Sequence, residues 1–450
     1  MILSNTSLIR KTTLFLVAAM LSFSAMAADF VQVQREANQG IPEAQYKLGL
    51  MYNNGESVRQ DYAKAVEWYE KSANQGDAYA QNNLGLMYYN GEGVRQDYAK
   101  AVEWYEKSAN QGDAYAQNNL GLMYYNGEGV RQDYAKAVEW YEKSANQGNA
   151  DAQKMLGYMY DEGEGVRQDY GKAAAWYEKA ANQGDAYAQY SLGYMYGKGE
   201  GVRQDYAKAV EWYEKAANQG DADAQKMLGV MYTLGKGVRQ DYAKAVEWYE
   251  KSANQGDADA QKMLGLMYVQ GQGVRQDYAK AVEWYEKAAK QGNADAQYRL
   301  GYMYDEGLGV RQDYGKAAAW HQKAAKQENV AAQYHLGVMY FKGLGVRQDY
   351  AKAVEWYEKA ANQGNVDAQY SFGYMYLKGL GVRQDYGKAA AWYEKAAKQE
   401  NVAAQYHLGV MYYNGEGVRQ DYATAKEWFG KSCDNGNQDG CDNYRMLKQR

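Results

Sequence analysis

The chain has 450 residues, of which 14% are aromatic and 48 are tyrosine, enough apolar surface to exclude a disordered protein. A formal net charge of −5 disfavours a nucleic acid partner, because binding phosphates needs clustered positive charge. The sequence is also too polar for a membrane protein.

Residues 1–27 differ in character from everything that follows. Arg10 and Lys11 precede an apolar run from Leu14 to Phe23, and small residues follow at Ala25, Ala27 and Ala28, the layout of a secretory signal peptide. The apolar run is shorter than the ~20 residues a bilayer requires, so an uncleaved anchor is the weaker reading. Cleavage is expected after Ala27, leaving 49 basic against 56 acidic residues, a net charge of −7 and no membrane span. The expected destination is the periplasm or the exterior, and the expected state is a monomer. Residues 28–40 contain the ending Ala37-Asn38-Gln39-Gly40, which recurs throughout the chain, and read as an amino-terminal capping helix.

From residue 41 the sequence repeats itself. All 11 tryptophans fall on one ladder of step 36, from Trp68 through Trp104 to Trp428, and eleven repeats fill residues 41–436 without insertion or deletion. Residues 77–112 and 113–148 are identical. In 77–112 the first helix is expected from Ala78 to Tyr89, with Ala80, Leu84 and Tyr88 on one stripe beside Gly85 and Met87. Gly91-Glu92-Gly93 ends that helix, Val94 plugs the turn and Asp97 caps a second helix. The second helix carries Tyr98, Ala101, Val102, Trp104 and Tyr105 on its apolar side. Lys100, Glu103, Glu106 and Lys107 lie on a charged side, with Glu103 and Lys107 in the favourable i,i+4 order. One such hairpin cannot bury its own apolar face, so the repeats must stack.

The only cysteines, Cys433 and Cys441, stand eight apart where the last repeat passes into a carboxy-terminal capping helix at 437–450. In an exported chain an even pair suggests a disulfide, stapling the end of the array; two free thiols are the alternative.

The run Ala80, Leu84-Gly85, Tyr88, Gly91-Glu92-Gly93-Val94, Asp97, Lys100-Ala101, Trp104-Tyr105, Lys107-Ser108-Ala109 and Gly112 resembles the Sel-1-like repeat, a longer-looped relative of the tetratricopeptide repeat. The resemblance implies an all-α fold, a right-handed α/α superhelical solenoid of helix-loop-helix repeats. It also implies an adaptor or scaffold for protein complexes, as exported bacterial members engage host or envelope proteins. The Cys433/Cys441 spacing resembles the inter-helix bridge of cysteine-rich exported members, which carry such a pair in most repeats rather than once.

Eleven copies in one chain form an internal comparison. Their differences gather at the third, sixth, seventh, tenth, thirteenth, fourteenth and sixteenth positions of the repeat, while the second helix hardly varies. Steps 3, 7, 10 and 14 trace one side of the first helix. In the second repeat that side carries Tyr79, Asn82, Asn83, Leu86 and Tyr89, and in the third Tyr115, Asn118, Asn119, Leu122 and Tyr125. The fourth contributes Asp151, Lys154 and Tyr158, the fifth Tyr187, Tyr190 and Tyr194, and the eighth Tyr298, Arg299 and Tyr302. Tyr334, His335 and Phe341 follow in the ninth, Tyr370 and Tyr374 in the tenth, Tyr406 and His407 in the eleventh. Tyrosine beside Asn, Ser and His suits protein recognition, giving contact area at low entropic cost. The face is expected to line the concave groove of the stack. Exposed positions also drift freely, and recent duplication could have kept the second helix uniform, so variation by itself has a neutral reading.

Nothing in the sequence points to catalysis or to a cofactor. The histidines are His321, His335 and His407; the last two share a phase two repeats apart, roughly 20 Å at ~10 Å per helix layer, too far to hold one ion. No metal is expected, and His321 reads as a tolerated substitution for tyrosine. No Ser is followed three residues on by Lys, which removes the nucleophile signature of β-lactam chemistry, and the glycine loops lack the Lys-Ser/Thr of a phosphate loop. The leading expectation is therefore an exported scaffold that binds an envelope or host protein. A peptidoglycan- or glycan-binding or glycan-processing protein, or a purely structural spacer, is the alternative.

Overall fold

The repeats fold because capping groups bound two helices of about equal length; the first repeat, whose leading helix starts at Pro42 after Ile41, has no side-chain cap there. In the computed structural model, which describes residues 29–449, the first helix of the second repeat spans Ala78–Asn90 and the second Tyr98–Asn110. The side chain of Asp77 accepts from the Ala80 amide and that of Asp97 from the Lys100 amide, so each helix has an orphan donor satisfied at its start. Gly91 takes the left-handed conformation and donates to the Met87 carbonyl, ending the first helix. Gln96 then pins the loop by donating to the carbonyl of Tyr89 at 2.8 Å and to the Tyr98 hydroxyl at 3.0 Å.

These hairpins recur down the chain, and among the described residues there are helices and no strands, an all-α array of tandem repeats. A helix occupies 29–38 and another spans Gln438–Lys448. The expected leader at 1–27, its cleavage site and Ala28 lie outside the described residues. No described helix is long and apolar enough to cross a membrane.

The array divides between Asp221 and Ala222 into two compact bodies. In the first, the core is built from Leu84, Leu120, Leu156 and Leu192 of first helices and Tyr69, Tyr105, Tyr141, Tyr177 and Tyr213 of second helices, all essentially inaccessible. The second body repeats the pattern with Leu228, Leu264, Leu300, Leu336, Phe372 and Leu408 against Tyr249, Tyr285, His321, Tyr357, Tyr393 and Phe429. The glycine at the ninth position makes this possible. A Cβ on Gly85 would stand 2.7 Å from the Tyr105 ring, so the glycine leaves room for an aromatic side chain. Gly93 answers a different constraint, since it combines a φ of +70° with the backbone of Tyr62, from the preceding repeat, packed where its side chain would be.

A buried glutamine in each first helix ties neighbouring hairpins together. Gln81 donates to the Ala73 carbonyl of the preceding repeat at 3.0 Å, while its own amide oxygen accepts from Gln111 at 2.8 Å. Gln153 and Gln189 in the first body, and Gln261, Gln297, Gln333 and Gln369 in the second, are bonded in the same two ways. At the carboxyl end Cys433 and Cys441 form a disulfide, with Cα atoms 4.5 Å apart, linking the last repeat to the final helix.

Candidate functional site

Among the nearly constant outer charges of the second helix, several have structural partners. Lys107 lies over the Trp104 ring, 3.8 Å from its centroid, and the equivalent lysine covers the equivalent tryptophan in every repeat, from 3.6 Å at Lys215 to 4.4 Å at Lys359. Glu70, Glu142 and Glu286 accept from Tyr88, Tyr160 and Tyr304, hydroxyls of the following repeat. The tryptophans, apart from the buried Trp212, form a half-buried ladder covered by lysine side chains, while the deep core belongs to the tyrosines. Uniformity of the second helix also follows from packing, and therefore carries no information about selection on the first.

The variable side of the first helix is arranged differently. Its third position stands outermost, with Tyr79 59% and Tyr115 66% exposed and Asp151 and Tyr187 also exposed. Leu86, Tyr194 and Tyr302 at the tenth position are exposed as well. Asn82, Asn83, Tyr89, Asn118, Asn119, Leu122, Tyr125, Lys154, Tyr158 and Tyr190 are half-buried in the first body. So are Tyr298, Arg299, Tyr334, His335, Phe341, Tyr370, Tyr374, Tyr406 and His407 in the second. Most of this side thus remains reachable from solvent rather than closed between layers.

Within each body the side chains meet across repeat boundaries. Asn119 donates to Asn82 at 3.0 Å, and Tyr125 packs edge-on to Tyr158 with centroids 6.5 Å apart. Lys154 pairs with Asp151 at 3.0 Å and Asp185 at 3.2 Å; although burial opposes its charge, the two carboxylates raise its pKa. In the second body Phe341 meets Tyr374 edge-on at 6.4 Å, and Tyr370 meets His407 at 5.9 Å. The ninth and tenth repeats enclose a cleft of about 310 Å³, lined by Tyr334, Val338, Phe341, Lys342, Tyr357, Tyr370, Ser371, Tyr374 and Met375. Seven of these nine stand at the variable positions, Tyr334, Phe341, Tyr370 and Tyr374 among them. The other two are Tyr357, from the second helix, and Met375, a constant position of the first.

Sequence reasoning also missed a meeting of histidines. The repeat phase relates His335 to His407; the structure instead stacks His335 on His321, with centroids 5.4 Å apart, and places Asp305 beside both. The signal was available in the spacing. Residues 14 apart, the twenty-ninth position of one repeat and the seventh of the next, already face each other at Tyr69 and Asn83.

The Sel1 repeat family model matches eleven consecutive segments, from 42–77 to 402–437. The solved structure of a protective antigen present in uropathogenic Escherichia coli strains, displaying an SLR fold, is 43% identical with a TM-score of 0.86, covering 93% of this chain and 90% of that one. A Sel1 repeat protein from Oxalobacter formigenes is 37% identical with a TM-score of 0.54, covering 70% of this chain and 93% of its own. No curated protein matches the chain.

Proposed function

Because this chain belongs to the Sel1 repeat family, a family of scaffolds that typically bind other proteins, we propose that it is exported and grips a protein partner through the variable side of its first helices. The observation that carries this reading is the cleft of the ninth and tenth repeats. There Tyr334, Phe341, Tyr370 and Tyr374, all at variable positions, converge around an opening flanked by Lys342 and Ser371. Rigid aromatic walls with a few polar groups are the composition of a protein-binding surface.

Export is supported by the basic and apolar order of residues 10–23, by the small residues around Ala27, and by a disulfide, a bond that persists in oxidising compartments. It is further favoured by the 43% identical protein being a protective antigen. The partner would be an envelope protein of the producing cell or a host protein. Photo-crosslinkers at residues 334 and 374, with a control at residue 355 on the second helix, test the reading in the native cell. One defined protein captured from the first two sites and not from the third is the expected result. Capture from all three alike, or co-sedimentation with purified peptidoglycan in place of protein capture, would replace it.

A further inference from the structure

We propose that Asp305, His321 and His335 form a binding site for a single divalent transition metal ion of the zinc class, at the junction of the eighth and ninth repeats. One ligand atom from each of the three side chains can be chosen so that all lie within 4.8 Å of one another. Two imidazoles and a carboxylate are a donor set that zinc accepts, with a fourth position left for water. Tetrahedral coordination at ~2.1 Å would bring the donors to about 3.4 Å apart, so the site closes by rotations of the half-buried Asp305 and His335 onto the fixed ring of His321.

The independent sign of a ligand is His321 itself. It is 0% exposed, and neither ring nitrogen has a hydrogen-bond partner. A buried imidazole with both nitrogens unanswered carries a desolvation cost that no hydrogen bond offsets. A cation would engage one of them. Burial, with His335 adding to it, pushes the His321 pKa down to about 3, which keeps the ring in the neutral form that metals bind. Asp305 has its pKa raised by burial and by Glu306, a cost that a nearby cation would relieve. The Tyr298 hydroxyl lies 3.4 Å from Nε2 of His335 and supplies that ring with an outer partner.

The repeats contain their own control. Two repeats on, the same three places hold Leu377, Tyr393 and His407: the ring stack survives, with Tyr393 on His407 at 5.4 Å, but two of the three ligands are gone. Stacking alone therefore needs no second histidine. Only at the eighth repeat does the buried tyrosine position become histidine, and there an aspartate and a histidine stand beside it.

The test uses the full exported chain without an affinity tag, stripped of metal, and Zn²⁺ alone as titrant at neutral pH. Each variant borrows the residue of a sister repeat to preserve folding: His321→Tyr, His335→Ser and Asp305→Leu, with His407→Ser as control. The expected result is saturable binding of one ion, weakened roughly 100-fold or more in His321→Tyr and His335→Ser, since even an outer-shell loss can cost up to ~100-fold. Cobalt in place of zinc should give the visible absorption of a tetrahedral site in the parent chain and lose it in those variants. Absence of saturable binding, or binding undiminished in His321→Tyr and His335→Ser, overturns the proposal and leaves an adventitious cation only.

Discussion

The two helices of each hairpin show what repetition preserves. The second helix is nearly constant; its exposed lysines lie over tryptophan rings, and half-buried glutamates such as Glu70 and Glu142 accept from tyrosine hydroxyls of the next repeat. The first helix is constant where it meets the core, at Ala80, Gln81, Gly85 and Met87, and varies on the side it turns toward solvent. Constancy here marks stacking, and variability marks freedom from it. Variation alone does not make a binding site; aromatic side chains retained at the free positions, and gathered around a cleft, are the additional fact.

The sharpest way to break this contrast is at the buried ring. Tyr105→Ala should cost about 3–5 kcal/mol locally, as for other large-to-small aromatic changes, and Tyr79→Ala on the same hairpin pair should stay within about 0.5 kcal/mol. Native-state hydrogen exchange at the amides of 77–112 is the appropriate readout, because a repeat array opens segment by segment. A next, smaller effect is expected at the stacking ladder. Gln81→Ala leaves the Ala73 carbonyl and the Gln111 amide without their partner and should cost about 1–3 kcal/mol, read the same way. The smallest lies on the outer face: Lys107→Gln, which removes the cation over Trp104, should cost about 0.5–1 kcal/mol in a thermal melt. If Lys107→Gln proved as costless as Tyr79→Ala, the packing explanation for second-helix uniformity would lose its support.

Much of this arrangement was legible in the residues. The tryptophan ladder fixed the repeat, and Asp97, Gly91 and the Leu84 stripe marked where each helix starts, stops and faces inward. Side-chain pairing between hairpins was harder to read. The order of Glu103 and Lys107 pointed to an ion pair, yet Lys107 lies on Trp104, because the three-residue step brings an ammonium over a flat ring one turn below. The buried glutamines recur at the fifth position of every repeat, but as polar residues on an apolar stripe they did not reveal their partners. The meeting of His321 with His335 escaped for a related reason. Comparing residues of equal phase finds side chains related by the repeat, whereas side chains in contact belong to different phases, here 14 residues apart.

The most direct test of the binding face is to change Tyr334, Tyr370 and Tyr374 together to serine and measure affinity for the protein crosslinked at those positions. Lys359→Gln, on the second helix, serves as the parallel variant. The account predicts an unchanged helical spectrum, a loss of about 30-fold or more in affinity for the triple variant, in the range of hot-spot residues, and no loss for Lys359→Gln. Affinity retained by the triple variant, or lost equally in Lys359→Gln, would contradict it.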